Sequence, residues 1–242
     1  MLRRVLLAAA LLVAVGATVA RAQTVDLLLV LCVDASGSID PEEFRFQREG
    51  YAAAIRDPRI VRAMTDGPNR AAALAFVEWG TPGGAMTAVG WGRIHDQASA
   101  EAYAERVLAA PRSPQSYNAL GDAIHHATGL IRSAPFRSER AVIDVSGDGP
   151  DNRSLVPAPE ARDEAVAMGI TINALAVVKE GSTVAERGER LVQSYTRDVI
   201  GGPGAFVVVA RDYPDFAQAI FNKMIREVAG GAAALQAAEA TP

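Results

Sequence analysis

The sequence predicts an α/β fold: a doubly wound, mostly parallel six-stranded sheet with one antiparallel edge strand and helices on both faces. Three observations carry that prediction. Apolar runs alternate with amphipathic stretches, the pattern of repeated strand–helix units. The run "LLLVLCV", residues 27–33, is continuously apolar, as a buried strand should be. Two consecutive runs are separated only by the turn-rich "GTPGG". That spacing suits a hairpin and not a crossover, so one strand turns back, at an edge of the sheet.

The strands are expected at 25–33, 71–78, 86–90, 141–146, 171–178 and 205–209, and the helices at 41–56, 97–109, 119–132, 159–168, 184–199 and 214–229. The first helix has a well-formed start. Asp40 can cap it, Pro41 sits at its first position, and Glu42 and Glu43 suit the positive end of the dipole. Gly169 stops the helix "EARDEAVAM" before the strand "ITINALAVV". On the helix faces, Arg45 with Glu49 and Glu186 with Arg190 are spaced as i,i+4 pairs, modest supports on solvated surfaces. Trp79 and Trp91 sit at strand ends and are expected to pack under the hairpin. The loop "GGPGAF" is not followed by the lysine that a P-loop needs.

Residues 1–22 read as a leader and not as part of this fold. Arg3 and Arg4 precede an almost wholly apolar stretch to residue 19, and Ala20-Arg21-Ala22 is a small-x-small cleavage site. Cleavage after Ala22 would give a periplasmic or secreted protein, organised as a domain over 23–230 and a frayed tail over 231–242. The mature chain would hold 21 basic against 28 acidic residues, a net charge of −7. Such a balance does not suit nucleic acid, which asks for a basic stripe. Cys32 is the only cysteine, which rules out an intrachain disulfide and any cysteine-built zinc site. Its place in an apolar run makes it a small buried hydrophobe.

Ligands of open parallel sheets bind beyond the carboxyl ends of the strands, near the switch in strand order. There the sequence concentrates oxygen donors. "DASGS" places Asp34, Ser36 and Ser38 after the first strand, and "VSGDG" places Asp148 after the fourth. Two carboxylates with hydroxyls form an all-oxygen set suited to a hard cation, Mg2+ or Mn2+.

At these residues the chain resembles the von Willebrand factor type A family, which includes the integrin inserted domains. "DASGS" matches the Asp-x-Ser-x-Ser pattern of that family's metal-ion-dependent adhesion site, and Asp148 in "SGDG" matches its later aspartate. "ERAVIDVSGDGPDN" followed by "ARDEAVAMGITINALAV" is similar to a bacterial branch with exported members. The resemblance covers about residues 24–228. It departs at the middle loop: the family's Thr position falls on Asn118 in "SYNALGDAIHHA", with Ser116 as the other available hydroxyl. Asn can offer an amide oxygen to a hard cation but is longer than Thr. The resemblance implies metal ligation by Asp34, Ser36, Ser38, Asn118 and Asp148. It also implies a protein partner whose carboxylate completes the coordination, and a binding module in place of an enzyme. Tyr117, "PDN" at 150–152 and "WGRIHD" could line the ligand face.

Two other readings remain open. A metal-dependent hydrolase would use the same cation to activate water. No base stands within motif distance, His125 and His126 point in different directions on a helix, and no Gly-x-Ser-x-Gly elbow is present. A metal-free scaffold would leave thermal stability unchanged by magnesium or chelator, whereas a cation bound to the native state raises it by mass action.

Overall fold

The computed structural model describes residues 22–178, 184–211 and 213–229. The expected leader, apart from Ala22, and the expected tail lie outside these residues, as does the side chain of Glu186. The chain opens with a two-residue strand β1 (Gln23–Thr24) and the long β2 (Leu27–Asp34), then α1 (Pro41–Arg56) and α2 (Pro58–Met64). The hairpin β3 (Ala72–Trp79) and β4 (Met86–Ile94) is followed by α3 (Gln97–Ala109) and α4 (Leu120–Arg132). Next come β5 (Phe136–Arg137), β6 (Ala141–Gly147), α5 (Ala158–Ala167), β7 (Ile170–Val177) and α6 (Val184–Ser194). A π-helical turn, Tyr195–Val199, leads to β8 (Val207–Ala210) and α7 (Tyr213–Ala229).

The main sheet has six strands in the order β4-β3-β2-β6-β7-β8. Only β3 and β4 pair antiparallel, and β4 is an edge, as the short hairpin loop requires. The chain leaves β2 toward β3 and β4, then returns to β6 on the other side of β2. The strand order therefore reverses between β2 and β6. Their register sets Val33 opposite Ser146, which carries both strands to one rim.

Every residue of β2 is buried, and alternate residues serve two cores. Leu27, Leu29, Leu31 and Val33 pack with Tyr51 of α1 and Phe216, Ile220 and Met224 of α7. Val30 and Cys32 face Leu120, Ala123 and Ile124 of α4 and Ala161 of α5. Burial on both faces explains the unbroken apolar run. It also raises the pKa of the Cys32 thiol far beyond its usual range, so Cys32 is an unreactive packing residue.

Asp40 accepts from the backbone N–H groups of Glu42 and Glu43, while Glu43 reaches back to the Asp40 N–H, a complete capping box. Arg45 meets Glu49 at 3.0 Å. Gly169, at φ +78°, follows α5 in the left-handed conformation that ends it. Several boundaries differ from the sequence reading. The helix α2 was not expected, although Asp57-Pro58 repeats the cap-and-proline start of α1, with Asp57 Oδ1 accepting from the Arg59 N–H at 2.9 Å. β4 continues past Gly90 to Ile94, where Gly92 lies against the Tyr103 ring too closely for any side chain. The expected helix over 184–199 changes to π-type at Tyr195. β8 starts at Val207 and not at 205, and the small parallel pair of β1 with β5 carries no periodic signal. Trp79 is fully buried, whereas Trp91 is only partly so.

Candidate functional site

The rim beyond β2 and β6 collects the oxygen donors. Asp34, the last residue of β2, is 1% exposed. Its Oδ1 accepts from the Ser36 N–H at 2.8 Å, an Asx-type turn that folds the first loop back over the strand end. Its Oδ2 accepts from the Asp148 N–H at 3.4 Å, linking the β2 and β6 loops directly. Ser36 and Ser38 share a hydrogen bond between hydroxyls at 3.0 Å, and the Ser38 hydroxyl donates to Asp148 Oδ1 at 3.2 Å. Four of the five sequence-predicted donors therefore form one chain of hydrogen bonds.

Asn118 arrives from the middle loop. The backbone of that loop is tied to the first loop by the Gly37 N–H donating to Ser116 O, and to the β6 loop by the Asn152 N–H donating to Asn118 O. The Asn118 amide lies directly over Gly149, where a Cβ would come within 2.5 Å of Nδ2. Only glycine after Asp148 allows that approach. Asn118 Oδ1 is buried and has no hydrogen-bond partner. Ser116, the other candidate of this loop, is exposed.

The electrostatics follow from burial. Asp34 is pushed up to about 7, chiefly by desolvation and next by the charge of Asp148, against the opposing hydrogen bonds from Ser36 and Asp148. The Tyr195 phenol beneath the site, which donates to Gly149 O at 3.0 Å, is raised well above its ordinary value by burial and then by Asp34 and Asp148. Negative potential is concentrated here, and a cation would relieve it. Among the described residues no three His, Cys, Asp or Glu side chains converge as a metal group. The set is two carboxylates completed by neutral oxygens. The buried, unpartnered Asn118 Oδ1, in the amide over Gly149, adds a neutral oxygen of the kind a hard divalent cation takes.

Several positioning residues left no sequence signal. Arg112 donates through Nη2 to the carbonyls of Ala35, Ser36 and Ile39 at 3.1, 3.1 and 2.8 Å, gathering the first loop around one guanidinium. Arg48 and Glu78 form a buried pair at 2.5 Å. Arg48 also holds the carbonyls of Val107 and Ala110, and Glu78 accepts from the Ser113 N–H at 2.7 Å, so the pair anchors the root of the middle loop. Asp122 accepts from the N–H groups of Gly83, Leu155 and Val156 and joins the hairpin loop to the β6 loop.

Two expectations for the ligand face need correction. Within "PDN", Asp151 turns inward. It accepts from the Leu120 N–H at 3.0 Å and the Ala158 N–H at 3.2 Å and so caps both α4 and α5, whose preceding residues carry no capping side chain. "WGRIHD" is at the other end of the sheet. The antiparallel register sets Ile94 opposite Ala72 at the start of β3, while Asp34 lies opposite Trp79 at its end. Tyr117, next to Asn118 in the chain, is half exposed with Arg153 over its ring.

The strand order and hairpin give the chain a von Willebrand factor A-like α/β fold. The chain belongs to the family described as "Protein of unknown function (DUF1194)", whose model matches residues 24–232. No curated protein matches it. Among solved structures it is similar to the von Willebrand factor type A protein of Catenulispora acidiphila, with 19% identity, TM-score 0.55 and coverage of 84% of this chain and 43% of that one. It is similar to proximal thread matrix protein 1 of the mussel byssus (16% identity, TM-score 0.59, 85% of this chain and 47% of that one). It also resembles the vWF domain of the type V pili tip protein Mfa5 of Porphyromonas gingivalis (11% identity, TM-score 0.55, 83% of this chain and 94% of that one). The chain spans 30% of the Lactobacillus rhamnosus pilus adhesin SpaC, which it also matches, with TM-score 0.58. These likenesses establish the fold.

Proposed function

We propose that this chain is an exported, metal-dependent protein-binding module that captures an acidic group of a partner through Mg2+ or Mn2+. The observation that carries this reading is the buried, unpartnered Asn118 Oδ1 in an amide that lies over Gly149, next in the chain to Asp148, whose loop joins Asp34 and the two serines in one hydrogen-bonded cluster. Asp34, Ser36, Ser38, Asn118 and Asp148 would hold the ion. A divalent cation held by these two carboxylates and neutral oxygens keeps an exchangeable position toward solvent, and there the metal supplies the local positive charge that binds a partner's carboxylate even on an acidic protein. The chain's own contribution is preorganisation: Arg112 fixes the first loop, Gly149 admits Asn118, and Asp151 fixes the β6 loop.

Support comes also from the company of the fold. A second structure of the mussel protein is described as having a "zinc occupied MIDAS motif", and two of the similar proteins are a pilus adhesin and a pilus tip protein. The export expectation rests on residues 1–22; no helix among the described residues is long and apolar enough to cross a membrane. The hydrolase alternative has less support. His126 is bonded to Thr87, His125 faces Glu164, and His95 follows Ile94 at the opposite end of the sheet. The test is a magnesium and manganese titration of the mature protein, read as a thermal shift and as isothermal heat. Wild type should bind, while Asp34→Ala and Asp148→Ala should lose binding at least tenfold. Equal responses in all three would reject the site.

A further inference from the structure

A second cluster of ionisable groups lies in the core on the α7 face of the sheet, away from the rim. Lys223 of α7 is 0% exposed, and its Nζ stands 2.6 Å from Asp144 Oδ1 on β6 and 2.7 Å from Glu227 Oε1 one helical turn along. Asn173 of β7 donates through Nδ2 to the same Glu227 oxygen at 3.0 Å, and its Oδ1 accepts from the Phe206 N–H at 3.2 Å. The Tyr51 hydroxyl of α1 closes the far side, 3.4 Å from Asp144 Oδ1.

As a plain ion pair this cluster is poorly balanced. Two carboxyl groups face one ammonium, and the remaining oxygens, Asp144 Oδ2 and Glu227 Oε2, are buried without any hydrogen-bond partner. Orphaned polar oxygens in a dry core are costly. Chemically, however, a buried amine held against a carboxyl group, with a second carboxyl touching the same nitrogen, is arranged for acyl transfer. Such fixed contact can replace effective concentrations of about 10⁵ M or more.

We propose that Lys223 and Asp144 are joined by a side-chain amide that the folded protein forms by itself, with Glu227 as the proton carrier, stapling α7 to β6. The balance is closed: Lys–NH3+ and Asp–COO− become Lys–NH–CO–Asp and one water. Within the ion pair a proton passes from Nζ to the Asp144 carboxyl, and the free amine adds to its carbon. Glu227, protonated at the start, delivers its proton to the departing hydroxyl and takes one from the nitrogen, ending as it began. Burial, and then the charge of Asp144, pushes Glu227 up to about 8, so it can donate at neutral pH. The amide removes both charges from the core, and its N–H retains Glu227 as acceptor.

The test is the intact mass of the purified, fully folded chain together with its tryptic map. The linked protein should be lighter than its unmodified chain by one water. Acylated Lys223 resists trypsin, so residues 141–153 should appear joined to residues 212–226. Lys223→Arg and Glu227→Gln should both return the full mass. Wild type at full mass overturns the proposal, even if both variants fail to fold. So does water loss confined to the peptide 141–153, which would indicate cyclisation at Asp148-Gly149.

Discussion

In the presence of a chelator this protein should lose stability as the pH rises from 5 to 8, the reverse of ordinary acid denaturation. Asp34 is raised from 3.8 to about 7 in the fold, so between those values the native state holds a proton that the unfolded chain has released. Stability changes with pH in proportion to protons bound by the unfolded state minus those bound by the native one, which is negative here. At about 1.4 kcal/mol per pH unit, the full window amounts to about 4 kcal/mol, and the part above pH 5 to about 3 kcal/mol. Other buried groups add slopes of their own, so the informative quantity is the difference between wild type and Asp34→Asn. Urea unfolding in chelator at pH 5 and pH 8 measures it. Wild type should fall more steeply than Asp34→Asn, and the variant should be the more stable of the two at pH 8. Saturating magnesium should flatten the wild-type slope, since it binds the ionised carboxylate, and at a hundredfold over Kd should restore about 2.7 kcal/mol at pH 8. Parallel slopes for wild type and Asp34→Asn in chelator would refute the reasoning, because they would mean that burial and Asp148 do not hold the Asp34 proton.

Other substitutions probe the supports of the site. Arg112→Ala removes the donor shared by Ala35, Ser36 and Ile39; unfolding in urea should show a loss of about 1–3 kcal/mol, and magnesium titration a weakened affinity with the fold retained by circular dichroism. Arg48→Met should cost about 3–5 kcal/mol, because Glu78 is left buried without its cation, while the double variant Arg48→Met/Glu78→Leu should recover much of that loss in the same assay.

Much of the site was legible because its chemistry is local. Asp34, Ser36 and Ser38 fall within five residues, and a carboxylate that bonds the N–H two residues on is a turn written in the chain itself. Asp148 was legible because glycines on both sides announce a strand end. Asn118 was found only through the resemblance, and the placing of its amide depends on Gly149, a contact across two loops. The misplaced "WGRIHD" shows the cost of an overlooked direction: a hairpin reverses the strand, so its far end cannot sit at the rim of its parallel neighbours.

The sequence by itself determined the alternation of strands and helices, the capped start of α1, the antiparallel edge and the first-loop donors. Each of these is governed by neighbours a few residues away, through backbone sterics, periodic burial and short-range hydrogen bonds. Only the tertiary structure decided that Arg112 gathers the first loop, that Asp151 caps two helices, and that Lys223 lies against Asp144 in the core. Those partners are tens of residues apart along the chain, and no local pattern encodes which buried charge will meet which. Their pairing is fixed when the sheet closes and excludes water, since a buried polar group must then find its partner within the fold.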